Sequence, residues 1–127
     1  MKKSKHRLTF LIVESEPQQG LSTRKLLIET AKHNVLTAYS PQEGLETLRR
    51  FPNVDCVVFD MSSENMTCDE FVEKIKTQNS NCKVIALAPT DGETIEGAKC
   101  AYAVVPSQDP AALLMLLEEE FGVPDAA

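Results

Sequence analysis

Apolar residues fall along this chain in short runs that stop at polar or charged positions, and the runs alternate with stretches of helical periodicity. The most sharply bounded run is Val57-Val58-Phe59, which ends in the carboxylate of Asp60 and is followed at once by Met61-Ser62-Ser63-Glu64-Asn65. A run of about four or five apolar residues closed by polar punctuation predicts a strand buried on both faces. Leu8-Thr9-Phe10-Leu11-Ile12-Val13 ends the same way, in Glu14-Ser15-Glu16. Cys56 to Phe59 is therefore one predicted strand and Leu8 to Val13 another. Val84 to Ala88, Tyr102 to Val105 and the weakly patterned Asn34 to Ala38 complete the set.

Helical signals fill the intervals. Pro17 follows Glu16 as proline does at a first helical position, and a helix to about Lys32 is expected, with Leu26, Leu27 and Ala31 inward and Thr23 one turn back. Ser40-Pro41-Gln42-Glu43 joins an N-cap serine, a proline and a capping-box glutamate; Leu45, Leu48 and Phe51 would be that helix's inner face, and Pro52 its stop. Thr67-x-x-Glu70 is a second capping box, ahead of Phe71 and Ile75. Asp109-Pro110 caps a last helix through Phe121, with Leu113, Leu114 and Leu117 inward and Gly122 at its end. Between Pro89 and Tyr102, with Gly92 and Gly97, only a short helix fits. This alternation predicts a three-layer α/β/α domain around a five-stranded parallel sheet, with a shortened fourth helix. Glu14 and Asp60 then share the carboxyl edge, where such sheets bind ligands.

The chain of 127 residues fits one domain, expected over residues 8–121, with a basic disordered tail at 1–7 and a C-terminal tail at 122–127. The net charge of -6 understates the body's acidity, because Lys2, Lys3, Lys5 and Arg7 lie in the first seven positions. The remainder holds nine basic and nineteen acidic side chains, which argues against a nucleic-acid-binding body. The first apolar run is shorter than the ~7–15 residues of a secretory h-region, and nothing approaches the ~18 of a membrane span. Cys56, Cys68, Cys82 and Cys100 lie 12, 14 and 18 residues apart, without a Cys-x-x-Cys pair, so buried free thiols in a reducing cytoplasm are expected rather than zinc or disulfides. His6 and His33 are expected to be exposed and without a role.

The order and spacing of Ile12-Val13-Glu14-Ser15-Glu16-Pro17, Val54-Asp55-Cys56-Val57-Val58-Phe59-Asp60, Val84-Ile85-Ala86-Leu87-Ala88 and Tyr102-Ala103-Val104-Val105-Pro106 resemble the receiver domain of two-component response regulators, of the single-domain kind used in chemotaxis. The resemblance covers about residues 8–121. It implies the flavodoxin-like strand order 2-1-3-4-5 and an aspartate that accepts a phosphoryl group beside a bound magnesium ion. Asp60 stands at the acceptor position. An aspartyl carboxylate attacks phosphorus effectively when magnesium and a nearby cation neutralise the transferred group.

Several positions depart from that pattern. The paired acids that hold magnesium in the family read Glu14 and Ser15 here; one is a carbon longer and the other uncharged, so an octahedral ion with oxygens near ~2.1 Å would be held weakly, by Glu14, Glu16 and Asp60. The family's hydroxyl residue at the end of the fourth strand is Ala88. Its phosphate-pairing lysine before the proline after the fifth strand is Val105, and its methionine–proline after the acceptor is Ser63-Glu64. Tyr102 matches the aromatic switch position. With acids gathered and no cation expected among them, repulsion opposes phosphate binding.

The expectation is thus a degenerate receiver, or pseudo-receiver: a stand-alone, non-enzymatic, cytoplasmic signalling module of a phosphorelay that requires no cofactor. It would act in trans by protein–protein contact with a histidine kinase, another regulator or its own copy as a homodimer, without nucleic acid or membrane. The resemblance also implies that the face around the fourth helix and fifth strand serves output. Its shortening leaves Met115 and Leu116 of the last helix as a replacement contact. Two alternatives stand beside this reading: an active regulator phosphorylated on Asp60 with magnesium, and a small flavodoxin-like cofactor binder. The latter lacks a glycine-rich phosphate loop, since the turn after the first strand is acidic.

Overall fold

The computed structural model describes residues 7–15, 23–62, 66–78, 82–88 and 98–122. The expectations for the tails at 1–6 and 123–127, for Glu16 and Pro17, for Ser63 and Glu64, and for a short helix between Pro89 and Gly97 lie outside these residues. Five strands form one parallel sheet in the order β2-β1-β3-β4-β5: β1 (Thr9–Val13), β2 (Asn34–Ala38), β3 (Cys56–Asp60), β4 (Lys83–Ala88) and β5 (Ala103–Pro106). The helices are α1 (Thr23–Thr30), α2 (Pro41–Arg50), α3 (Cys68–Gln78) and α4 (Pro110–Phe121). The predicted class and strand order are both observed.

Burial follows sheet position. Phe10 to Val13 of β1 and Cys56 to Phe59 of β3 have no exposed surface, as expected of central strands covered by helices on both sides. Side chains alternate across the sheet, so two apolar layers form. On one face Leu11, Val13, Val57 and Phe59 pack with Leu45, Leu48, Phe71 and Ile75 of α2 and α3. On the other, Phe10, Ile12, Cys56, Val58, Ile85, Leu87 and Val105 pack with Ile28 of α1 and Leu113 and Leu117 of α4.

The caps read from sequence are present. Ser40 Oγ accepts from the Glu43 amide at 3.0 Å. Thr67 and Glu70 cap reciprocally, at 3.1 and 2.9 Å, and Asp109 Oδ1 accepts from the Ala112 amide at 3.0 Å. Gly122 closes α4 at φ 75°.

On and after α1 and α2, the side chains of Leu26, Phe51 and His33 lie differently from expectation. Leu26 is 52% exposed; α1 packs inward through the buried Ile28 and the partly buried Leu27. Phe51 is half exposed, because α2 ends at Arg50 and Phe51 has left helical geometry (φ -125°, ψ 74°). His33, expected to be exposed, is buried. Lys32 takes a left-handed turn at φ 75°, and the Lys32 and His33 amides donate to the carbonyls of Glu29 and Ile28, a Schellman closure of α1. That turn tucks the imidazole under the sheet, where Nδ1 accepts the Leu8 amide at 3.1 Å and the ring lies 5.0 Å from that of Phe10.

Candidate functional site at the carboxyl edge

Strand register brings the two predicted acids together. Val13 pairs with Phe59, so Glu14 and Asp60 are the next residues along adjacent parallel strands. They share the parity of Ile12 and Val58 and therefore project toward the α1 face. Both are buried, at 5% and 8% exposure, although water would favour two carboxylates outside.

Arg24, on α1, accounts for their burial. Its Nη1 donates to Asp60 Oδ2 at 2.8 Å and to Glu14 Oε1 at 3.1 Å. These are charge-assisted bonds in a partly desolvated setting, of the stronger kind available to a protein. Asp60 Oδ1 accepts the Ser62 amide at 2.9 Å in an Asx-type turn, so both oxygens of Asp60 are engaged. The second oxygen of Glu14, Oε2, is buried and has no hydrogen-bond partner among the described residues.

The expectation that no cation stands among these acids is therefore overturned. Lys83 lies at the amino end of β4 opposite Cys56, about 13 Å along the strands from the level of Asp60. Its Nζ sits instead over the rings of Tyr102, at 4.4 Å, and Phe121, at 5.6 Å. Arg24 does not stand out in the sequence because α1 is rotated by one position from the stripe of Thr23, Leu27 and Ala31, which brings Arg24 and Ile28 inward. Arg24 precedes the buried Ile28 by four residues, and that spacing was the available signal.

The remaining predicted positions fall as follows. Ser15 is exposed beside the rim. Ala88 ends β4, one residue past the level of Asp60. Val105 stands at the same level as Asp60 two strands away, since Leu87 pairs with both, and its side chain is buried against Leu113 and Leu117. Tyr102 precedes β5, is 45% exposed, and its hydroxyl donates to Glu120 of α4. That bond raises the Tyr102 pKa above its ordinary value, with a smaller contribution from desolvation.

The donor set fits a divalent ion poorly. Among the described residues no three acidic, histidine or cysteine side chains are placed to hold a metal. One oxygen of each carboxylate is instead bonded to the same guanidinium nitrogen of Arg24. Elsewhere the thiols are held protonated by burial. Cys56 is pushed well above the usual thiol range, and Cys68 and Cys82 up to about 12; Cys100, contrary to expectation, is exposed.

A doubly wound parallel sheet with an acidic pair on its carboxyl edge defines a class of signalling and ligand-binding domains. Within it, this chain belongs to the response regulator receiver domain family, which matches residues 10–104. The solved structures agree in fold. Chemotaxis response regulator CheY4 of Vibrio cholerae is 21% identical with a TM-score of 0.74, over 91% of this chain and 100% of that one. A response regulator receiver domain protein from Clostridium thermocellum is 21% identical with a TM-score of 0.71, over 89% and 93%. A CheY-like receiver domain from Methylobacillus flagellatus is 19% identical with a TM-score of 0.73, over 90% and 98%. No curated relative matches the chain at a significant level. Among the described residues no helix is long and apolar enough to cross a membrane.

Proposed function

We propose that this receiver domain is a degenerate one, a non-enzymatic module that signals by protein contact without efficient phosphorylation of Asp60. The observation that carries the reading is the engagement of both Asp60 oxygens, one by Arg24 and one by the Ser62 amide. A nucleophile needs a free lone pair aimed at phosphorus and cations that meet the transferred oxygens. Here each oxygen already accepts a hydrogen bond, and Val105 fills with a packed isopropyl group the position from which the family's lysine would reach. Ala88 offers no hydroxyl to the phosphate.

A partner from a two-component system, either a histidine kinase or another regulator, or a second copy of this chain, is the occupant proposed for the output face. Met115, at 59% exposure, Tyr102 and Val104 present apolar surface there.

One observation favours the second reading, an active receiver. Arg24 is a cation within 2.8 Å of Asp60, and a guanidinium is a good partner for phosphoryl oxygens. The two readings separate on one experiment. The chain is incubated with a small-molecule phosphodonor and magnesium, and its intact mass is followed. No phosphoryl adduct is expected; an adduct that disappears in Asp60→Asn establishes the active reading instead.

A further inference from the structure

The pairing of Arg24 with two acids on different strands carries a consequence for metal binding. We propose that the Arg24 guanidinium is the permanent occupant of the cation position between Glu14 and Asp60, so that this rim carries its counter-charge in the chain and excludes divalent metal ions. The proposal rests on the receiver-fold reading of the rim but not on whether Asp60 is ever phosphorylated.

Three features support it. The atoms a metal would take from these two side chains, Glu14 Oε1 and Asp60 Oδ2, are the ones that Nη1 spans at 3.1 and 2.8 Å. An incoming ion would have to break both bonds and would then share the pocket with a like charge, a repulsion that a low-dielectric setting strengthens. The group is also well placed to stay. Arg24 is only a quarter exposed, its helix is anchored by Ile28 in the core, and the two acids it meets are 5% and 11% exposed at their side chains. Finally, Glu14 Oε2 is buried with no hydrogen-bond partner among the described residues, and two carboxylates against one guanidinium leave the cluster one negative charge in excess. With the guanidinium gone, that oxygen joins Oε1 and Asp60 Oδ2 as a donor set, and a metal ion becomes the readiest means of neutralising two buried carboxylates.

The test uses the full chain with magnesium and manganese chlorides as probes, followed by thermal unfolding and by paramagnetic relaxation with manganese. Wild type is expected to show no shift in melting temperature at millimolar metal. Arg24→Gln is expected to melt lower in metal-free buffer, to regain stability on metal addition, and to bind manganese at least about tenfold more tightly than wild type, a coupling of ordinary size between two competing charges. The double variant Arg24→Gln/Glu14→Gln removes both the repulsion and a ligand, and should gain neither metal affinity nor metal-dependent stability. Wild type binding manganese as tightly as Arg24→Gln overturns the proposal, as does a folded Arg24→Gln that binds no more tightly.

Should Arg24→Gln fail to fold, wild type carries the test alone. The Arg24 guanidinium proton resonances should be unmoved by magnesium, and their displacement by the metal overturns the assignment. None of these measurements uses a phosphodonor, so the outcome is independent of the adduct experiment above.

Discussion

Gly44 of α2 and Val13 of β1 touch where no larger residue at position 44 fits: a Cβ on Gly44 would stand 2.8 Å from Val13 Cγ2 and 3.4 Å from the ring of Phe71. Val13 has no exposed surface and is held in register with both Ala38 and Phe59, so it cannot move aside. It is also the residue before Glu14, whose side chain projects to the opposite face of the sheet.

Gly44→Ala is accordingly a test of packing against propensity. In an exposed helix the change would stabilise by up to about 1 kcal/mol. Here the overpacking cost of ~1–3 kcal/mol dominates, and a net loss of about 1–2 kcal/mol is expected in urea denaturation. Val13→Ala introduced alongside should recover part of it, giving a double variant less damaged than the two single losses added together.

His33 makes stability depend on pH. Burial, and secondly Arg7, depress its pKa below the ordinary 6.5, with Asp55 opposing. Nδ1 accepts a backbone amide, so the neutral ring is the form that fits. A depressed folded pKa means that the unfolded chain binds the proton more readily, so this contribution is whole above 6.5 and is lost as pH falls through the folded value. Urea midpoints measured across that window should fall toward acid in wild type. His33→Asn keeps an acceptor for the Leu8 amide without titrating, and its curve should lack this step.

The depth to which the sequence could be read differs between elements for physical reasons. Strands β1 and β3 were legible because they are buried on both faces and end at charges, and both capping boxes were legible from local chemistry alone, whereas the half-buried edge strand β2 was only weakly patterned. Side-chain direction in α1 was not. Its apolar residues Leu26, Leu27 and Ile28 are consecutive, so periodicity does not choose a face. The choice is made by the sheet, which takes Ile28 and leaves Leu26 in solvent. That rotation turns Arg24 onto the acids. His33 was likewise invisible, because the turn that buries it depends on a positive φ at a lysine, a residue that gives no turn signal.

The four cysteines should react at separate rates. Thiolate is the reactive form, and Cys56, Cys68 and Cys82 are held as thiols by burial, the last two with pKa values pushed up to about 12. Cys100 is exposed. Iodoacetamide followed by peptide mass mapping should therefore alkylate Cys100 first, with Cys56 and Cys68 modified only on the timescale of unfolding. Alkylation of Cys68 in the folded protein at the rate of Cys100 would contradict the packing of α3 against the sheet.

The Tyr102 hydroxyl donates to the carboxylate of Glu120, tying the start of β5 to the last helix on the outer surface. Ionising the phenol would break the hydrogen bond it donates and, to a smaller extent, set a phenolate against that carboxylate, which is why its pKa lies above the ordinary 10. In a Tyr39→Phe background, absorbance titration reports Tyr102 alone. Its midpoint should lie above 10, and Glu120→Gln should bring it part of the way down, because the amide still accepts the hydrogen bond but no longer repels the ionised form. A midpoint indifferent to Glu120→Gln would mean that the ring does not stay on the α4 side. The aromatic position would then be free to exchange inward, as a switch requires, instead of being held at the surface.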